Sequence, residues 1–294
     1  MFTSATLIVS ECEHQKSPEG ASGIEPRASP ASGPFNTSCR EVLGVRKLLI
    51  AANWKMYKTI GEAENFINEF LPLVNRVAEV EIVICPPFTC LPALSQGLKA
   101  NQVMLGAQDV FWASSGAYTG EIAPAMLLDL DCRYVIIGHS ERRQVMGESN
   151  AIINRKLKAA SEAGLVPIFC VGETLPEREQ NLARQVVETQ LEQGLIDVFP
   201  QELVVAYEPV WAIGTGINAS PDDAREMAGF IREYLAIIKD RTWAESVRIL
   251  YGGSVKPENI AQFIAEPDVD GALVGGASLD AGAFARIVRL NTDD

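Results

Sequence analysis

Several residues of the types used in acid–base chemistry follow short apolar runs of the sequence. Asn53 and Lys55 come directly after one run, His139 and Glu141 after another, and Glu208 after a third. Carboxylates and imidazoles transfer protons, and an ammonium group stabilises negative charge. Taken singly, each residue also has a structural explanation, such as a solvated lysine, a hydrogen-bonded core histidine or a glutamate in an ion pair. Their shared position after apolar runs favours one common site.

Glycine-rich turns follow two further apolar runs near the C-terminus. One turn contains Gly252, Gly253 and Ser254, and the other contains Gly275 and Gly276. Glycine lets the backbone come close to a ligand, and consecutive N–H groups bind an anion without a formal positive charge. These turns are therefore candidates for a phosphate site. The alternative is that the glycines only form tight turns.

The net charge of −13 limits the possible partners of the chain. A strongly acidic protein repels polyanions, so we expect neither nucleic acid nor a membrane surface as a partner. No apolar run approaches the length of a membrane span. A phosphate-bearing ligand remains compatible with this charge, because backbone donors and one lysine can supply the positive potential locally.

The cysteines and histidines give little support for a metal site. The six cysteines include no CxxC pair, and the chain has only two histidines, His14 and His139. We expect no catalytic zinc site, and we expect buried free thiols in a cytoplasmic protein. The segment GTGINA (214–219) matches a dinucleotide fingerprint, but residues 209–213 separate it from the preceding apolar run, so we reject that interpretation.

The elements that would position these residues alternate regularly. Eight mostly apolar runs, typical of strands buried on both faces, are separated by segments of helical pattern. For example, Ser220, Pro221 and Asp223 form a helix start, followed by apolar residues at helical spacing. The runs are 48–52, 80–85, 103–107, 134–137, 165–171, 203–207, 247–251 and 272–274. Eight such units predict a closed α/β barrel, with an open doubly wound sheet as the alternative.

The first 44 residues differ from the rest of the chain. They are rich in serine, proline and glycine and lack apolar periodicity, which predicts a disordered extension. A transit peptide should be poor in acids, and Glu11, Glu13, Glu19 and Glu25 disfavour that interpretation. We therefore divide the chain into an extension, 1–44, and one barrel domain, 45–294. Whether the natural protein contains the extension or starts at Val45 stays open.

Five segments of the barrel domain, in this order and spacing, closely resemble the triosephosphate isomerase family. The segments are NWKM (53–56), GHSERR (138–143), AYEPVWAIGTG (206–216), YGGSV (251–255) and VGGASL (274–279). The resemblance covers essentially all of the chain from Arg46 onward. It implies a single (β/α)8, or TIM, barrel that uses no metal and no organic cofactor. It also implies interconversion of dihydroxyacetone phosphate and glyceraldehyde 3-phosphate in glycolysis and gluconeogenesis.

The resemblance also assigns roles to individual residues. Glu208 would be the base, His139 the electrophile and Lys55 the cation at the mouth of the site. Asn53 would bind near the substrate oxygens, and Glu141 would contact Lys55. The phosphate donors would be Gly214, Ser254, Gly275 and Gly276. In a dry, closed site we expect Glu208 to become more basic, because burial disfavours its charged form.

Two loops are expected to contribute to function, one as a lid over the site and the other as a contact between subunits. The apolar segment 209–216 is a candidate lid, which would exclude water and protect a reactive enediolate from phosphate elimination. The loop 108–121, which begins at Gln108 and ends at Glu121, inserts into a second subunit in the resembled family. Thr119 would then reach the partner, so we expect a homodimer. The alternative is a loop that folds back on its own barrel.

Three other functions are compatible with part of this pattern. Another phosphosugar isomerase or an aldolase would keep the phosphate turns, and an aldolase could use Lys55 to form a Schiff base. A dinucleotide oxidoreductase would bind a nicotinamide cofactor. A barrel without activity should lack Lys55, His139 or Glu208, and the sequence retains all three.

Overall fold

The structure is a computed structural model that describes residues 46–99, 101–212 and 219–290 of the 294-residue chain. The predicted extension, Met1–Gly44, lies outside the described residues. The same holds for residues 213–218, which include the second half of the predicted lid, 213–216, and with it Gly214.

The described residues form eight parallel strands that close into a barrel, with each strand beside its neighbours in sequence and β1 paired with β8. This confirms the predicted (β/α)8 barrel and excludes the open sheet. Every predicted run coincides with a strand to within two residues at each end. The strands are β1 (Leu48–Asn53), β2 (Val80–Cys85), β3 (Val103–Ala107), β4 (Cys132–Ile137), β5 (Val166–Val171), β6 (Val204–Tyr207), β7 (Arg248–Tyr251) and β8 (Gly271–Val274).

Helices surround the barrel, and short 3₁₀ turns cover parts of its rim. The turns are Phe88–Cys90, Val210–Ala212 and Gly276–Leu279. The helices are α1 (Ile60–Val74), α2 (Leu91–Gly97), α3 (Pro124–Leu128), α4 (Ser140–Gln144), α5 (Asn150–Ala163), α6 (Leu175–Glu179), α7 (Ala183–Gly194), α8 (Pro221–Ile238), α9 (Arg241–Ser246), α10 (Ile260–Ile264) and α11 (Ala281–Val288). As predicted, α8 begins after Ser220, whose side chain forms a capping box with Asp223.

The continuous apolar character of the strands follows from their burial on both faces. In β1, Leu49 and Ala51 point into the barrel, whereas Leu48, Ile50 and Ala52 pack in the layer between the barrel and the helices. Alternate residues of a strand face opposite sides, so both layers draw on each strand. The rigid core leaves the carboxyl ends of the strands free to carry polar groups.

A buried arginine joins α8 to the ends of β7 and β8. Arg232 forms ion pairs with Asp268 (3.0 Å) and Asp270 (2.9 Å) and donates to the carbonyl groups of Ala244 and Val247. Asp270 in turn accepts from the backbone N–H of Ile249 at 2.9 Å. The guanidinium therefore holds one helix and two strand ends together in the interior.

Replacing Arg232 by methionine is expected to lower the free energy of unfolding by about 3 kcal/mol, because it leaves buried acceptors without a partner. Denaturant unfolding at equal protein concentrations measures the difference. Arg225→Gln is the matched control on the same helix. Its side chain is exposed, so its ion pair with Asp222 should contribute less than about 1 kcal/mol. Equal losses in the two variants would contradict a structural role for the buried arginine.

Candidate active site

The predicted site residues that the structure describes come together at the carboxyl ends of the strands. Asn53 ends β1, His139 follows β4, Glu208 follows β6, and the two glycine turns follow β7 and β8. They share one cavity of about 300 Å³. Its lining includes Asn53, Lys55, His139, Glu208, Ser254, Gly275 and Gly276. Glu141 reaches the cavity through its contact with Lys55, and Gly214 lies outside the described residues.

The imidazole of His139 and the carboxylate of Glu208 are in direct contact. The distance from His139 Nε2 to Glu208 Oε1 is 2.9 Å, and both side chains are almost fully buried. On the other side of the ring, the backbone N–H of Glu141 donates to Nδ1 at 3.2 Å. Because Nδ1 must keep a lone pair to accept this bond, the proton of the neutral imidazole lies on Nε2. His139 thus presents a donor to the cavity.

The local chain conformation fixes this orientation of the imidazole. His139 is the N-cap of α4, and its side chain accepts the N–H that the first turn of the helix leaves unsatisfied. Burial lowers the pKa of His139, but the adjacent Glu208 carboxylate raises it, and the net shift is upward. The raised pKa depends on Glu208 remaining in contact with the ring.

Glu208 has a lower pKa than an ordinary glutamate in this arrangement. Burial raises the pKa, but attraction and hydrogen bonding to His139 lower it, as does the backbone N–H of Ser140, which donates to Oε2 at 2.8 Å. The sequence led us to expect a more basic carboxylate in a closed, dry site. The burial effect has the expected direction, and hydrogen-bond partners that the sequence did not reveal outweigh it.

Lys55 is held by contacts on both its side chain and its backbone. Its Nζ pairs with Glu141 Oε1 at 2.7 Å, as the resemblance implied. Its backbone has a positive φ of 52°, and its N–H donates to Asn53 Oδ1 at 3.0 Å. Gln108 Nε2 donates to the Lys55 carbonyl at 2.8 Å and to the Cys85 carbonyl at 2.9 Å. These bonds stabilise an unusual backbone conformation that places the ammonium group at the cavity.

The sequence analysis missed two residues that follow β5. Gly172 lies so close to the base that a Cβ atom there would be 1.7 Å from the backbone oxygen of Glu208. Glu173 is fully buried and accepts hydrogen bonds from Tyr207 (3.1 Å) and Trp211 (2.8 Å), which flank Glu208 in sequence. Position after an apolar run, the signal that identified Glu208, also applies to both residues.

Replacing Gly172 by alanine is expected to lower kcat by about ten- to a hundredfold, because the added methyl group forces the backbone of Glu208 to move. Steady-state kinetics would measure this loss. Gly229→Ala in α8 is the matched control, since the nearest atom to its Cβ would be Asp268 Oδ2 at an ordinary 3.9 Å. That variant should keep its activity and gain some stability. Normal turnover in the Gly172 variant would show that the base tolerates displacement.

The glycine turn after β8 is fixed by neighbouring side chains. Trp54 Nε1 donates to the Ser278 carbonyl at 3.1 Å, and Lys58 Nζ donates to the Leu279 carbonyl at 2.8 Å. The turn after β8 is therefore tied to the segment that carries Lys55. A Cβ at Gly276 would meet no atom within 4 Å, so the backbone there faces open space. This is the property needed for close approach of a ligand.

Two further findings concern metal-binding clusters and membrane-spanning helices among the described residues. Within the described ranges, no cluster of three or more histidine, cysteine or acidic residues could hold a metal ion. Among the same residues, none of the helices is both long and apolar enough to cross a bilayer.

In this closed barrel, a carboxylate contacts an imidazole, and an ammonium group lies at the same cavity. These features are typical of a barrel enzyme that catalyses proton transfer. The sequence model of the family described as triosephosphate isomerase matches residues 48–291. The chain belongs to the triosephosphate isomerase family and is accordingly an isomerase.

Three relatives that carry the name triosephosphate isomerase illustrate the similarity. That of Dictyoglomus thermophilum is 52% identical over 248 residues, which is 83% of this chain and 100% of the relative. That of Geotalea uraniireducens is 52% identical over 250 residues, 84% of this chain and 100% of the relative. That of Moorella thermoacetica is 53% identical over 247 residues, 83% of this chain and 98% of the relative.

Proposed function

We propose that this enzyme interconverts dihydroxyacetone phosphate and D-glyceraldehyde 3-phosphate through an enediolate intermediate, in glycolysis and gluconeogenesis. The observation that carries the proposal is the 2.9 Å contact between Glu208 and His139, in a cavity that glycine turns also line. A base and a hydrogen-bond donor within reach of one small ligand are what proton abstraction next to a carbonyl requires.

In the proposed reaction, Glu208 removes a proton from the carbon beside the substrate carbonyl. The electron pair of that C–H bond forms the carbon–carbon double bond of the enediolate, and negative charge moves to the carbonyl oxygen. His139 donates from Nε2 to this oxygen, and the Lys55 ammonium stabilises the charge. The Nε2 proton of His139 passes to this oxygen, and the ring recovers a proton from the hydroxyl group on the other carbon, which becomes the new carbonyl. Glu208 then returns its proton to the carbon that carried the original carbonyl, so that no atom is gained or lost.

The contacts of His139 suggest how it stays neutral during this cycle. When Glu208 turns from the imidazole to the substrate carbon, the carboxylate no longer raises the pKa of His139. Burial, the cationic Lys55 and the Glu141 N–H on Nδ1 remain and favour the neutral ring, against a smaller opposing effect of the Glu141 carboxylate on the pKa of His139. A neutral imidazole can donate at one oxygen and recover its proton from the other. We therefore assign His139 as the electrophile and Glu208 as the base.

We further propose that Asn53, Ser254, Gly275 and Gly276 bind the substrate, together with Gly214. The first four line the cavity, where the glycine turns can supply backbone N–H donors beside Asn53 and Lys55. Glu141 holds Lys55 at the mouth until the anionic substrate arrives. The lid at 209–216 stays a prediction from the sequence, since 213–216 lie outside the described residues.

The experiment that tests the proposal is a coupled assay with dihydroxyacetone phosphate as substrate, accompanied by the reaction in deuterium oxide. We expect glyceraldehyde 3-phosphate to form and deuterium to enter at the carbon beside the carbonyl. Absence of both would overturn the proposal. Borohydride-dependent trapping of substrate on Lys55 would instead support a Schiff-base enzyme. The ion pair with Glu141 disfavours that outcome because it holds the amine against a carboxylate, away from attack on the substrate carbonyl.

We propose that the enzyme is a homodimer joined through the loop 108–121. Residues 114–121 at its tip are exposed, including the aromatic ring of Tyr118. Met56 after β1 and Met146 after β4 expose 93% and 66% of their surface. Large exposed apolar groups on three neighbouring loops are typical of a covered interface.

Sedimentation velocity over a concentration series tests the dimer. We expect the unmodified protein to sediment as a dimer and Tyr118→Glu to shift the equilibrium towards monomer. Ile237→Glu is the control, since this apolar residue is even more exposed than Tyr118 (76% against 47%) but lies on the outer helix α8. A monomer at all concentrations would instead support a loop folded on its own barrel.

A cytoplasmic location is also proposed. Four cysteines, Cys85, Cys90, Cys132 and Cys170, are free and buried, which suits a reducing compartment. Cell fractionation tests it, and recovery of the protein outside the cytoplasmic fraction would contradict it.

A further inference from the structure

The loop that follows β7 is held at two points by one side chain. Asn259 Oδ1 accepts from the backbone N–H of Lys256 at 2.8 Å, and Asn259 Nδ2 donates to the Ser254 carbonyl at 3.0 Å. The Lys256 carbonyl accepts from the N–H groups of Asn259 (3.2 Å) and Ile260 (3.1 Å). The backbone of Lys256 is thus fixed at the edge of the glycine turn.

The charges around the cavity are unevenly distributed. The ammonium group of Lys55 is already paired with Glu141 at 2.7 Å, and Glu208 contributes a buried carboxylate. Lys256 lines the same cavity, and among the residues that the structure describes, none of the carboxylates lies within ion-pair distance of its Nζ. Lys256 therefore supplies a positive charge at this cavity that none of the described carboxylates neutralises.

An anionic substrate faces an electrostatic obstacle before it reaches the site. The protein carries a net charge of −13, and two carboxylates lie at or beside the cavity. Backbone N–H groups act over short distances only, whereas a full charge at the rim acts over about 10 Å at 0.1 M salt. A rim cation raises the local concentration and the association rate of an oppositely charged ligand.

We propose that Lys256 is a substrate-binding residue that captures the phosphate group of the incoming substrate and delivers it to the glycine turns. This inference rests on the proposed function, because it assigns the phosphate end of the substrate to the side of the cavity formed by Ser254 and Lys256. Lys256 takes no part in proton transfer. Lys256 acts in the association step and in the affinity for the phosphate group. Replacing it should therefore change kcat/KM and KM rather than kcat.

The test compares Lys256→Gln, Lys256→Glu and Lys256→Arg over a range of ionic strength. At low salt we expect kcat/KM to fall about three- to tenfold in the glutamine variant and further in the glutamate variant. The arginine variant should retain most of the activity, and kcat should change less than about twofold in all three. At about 0.5 M salt the differences should largely disappear because the charge is screened. Inorganic phosphate, as a competitive inhibitor, should bind correspondingly more weakly to the glutamine variant.

Lys158→Gln is the matched control, since it removes one positive charge from an exposed residue of α5 outside the cavity. Equal kinetics of the Lys158 and Lys256 variants at every salt concentration would overturn the inference, as would a loss in kcat that persists at high salt. These outcomes are distinct from failure of the proposed function, which would appear as an inactive unmodified protein. In that case, calorimetric titration with inorganic phosphate still decides whether Lys256 binds the anion.

Discussion

Replacing Glu208 by glutamine is expected to lower kcat by about 10²- to 10⁴-fold while the KM changes little. The amide has almost the shape of the carboxylate but cannot accept a proton at neutral pH. It can still accept the hydrogen bond from the backbone N–H of Ser140, so the segment around residue 208 should keep its place. The coupled assay with dihydroxyacetone phosphate measures the loss.

Glu258→Gln is the control for this prediction. Glu258 is exposed and lies in the loop that follows β7, near the cavity but outside its lining. The same chemical change there should leave turnover within about twofold, as is usual for surface substitutions. Near-normal turnover in the Glu208 variant would remove this residue from its role as the base, and the proposed mechanism would fail with it.

The second large effect is expected for His139→Gln. The glutamine amide can donate to an oxygen, but it cannot give up a proton and take it back, so kcat should fall by about 10²- to 10³-fold. The pKa of Glu208 should rise at the same time, because burial raises it and the main opposing contact is lost. A base with a higher pKa is protonated at a higher pH. The acid limb of the kcat/KM profile should therefore move to higher pH.

The pH profile separates this role of His139 from a purely structural one. A histidine that only supported the fold would lower activity through instability, without moving the acid limb. Circular dichroism and the unfolding midpoint give the fraction of folded protein, against which the rates are normalised. An acid limb that stays in place or moves to lower pH would contradict the coupling inferred from the 2.9 Å contact.

The fold was predictable because burial on two faces leaves a strong imprint on the sequence. Strands such as β2 and β3 coincide with their predicted apolar runs at both ends. The start of α8 was also predictable, since Ser220, Pro221 and Asp223 act locally. Predicting that the sheet closes into a barrel required the count of eight units and the resemblance to the family, because an open sheet produces similar apolar runs.

The structure brings the described candidate site residues together in one cavity, but the sequence predicted only some of their contacts, such as the pair of Lys55 and Glu141. Position after a strand identified Lys55, His139 and Glu208. It did not reveal that Ser140 N–H and His139 both bind Glu208 and lower its pKa in this arrangement, so the prediction of a more basic carboxylate in the closed site stays a prediction. Such contacts depend on side-chain directions across the barrel, which no local pattern in the sequence records. Position after a strand also applies to Gly172, but the tight constraint on that glycine comes from the backbone oxygen of Glu208, which is distant in sequence.

The buried thiols can be used to measure opening of the folded barrel. Burial raises the pKa of Cys132 to about 12, and it raises the pKa of Cys85 and Cys170 as well, so few thiolates form near neutral pH. Because the thiolate is the reactive species, alkylating reagents and peroxides should modify these positions only in molecules that have opened. The labelling rate of Cys85, Cys132 and Cys170 would therefore measure how often the barrel opens, without any engineered label.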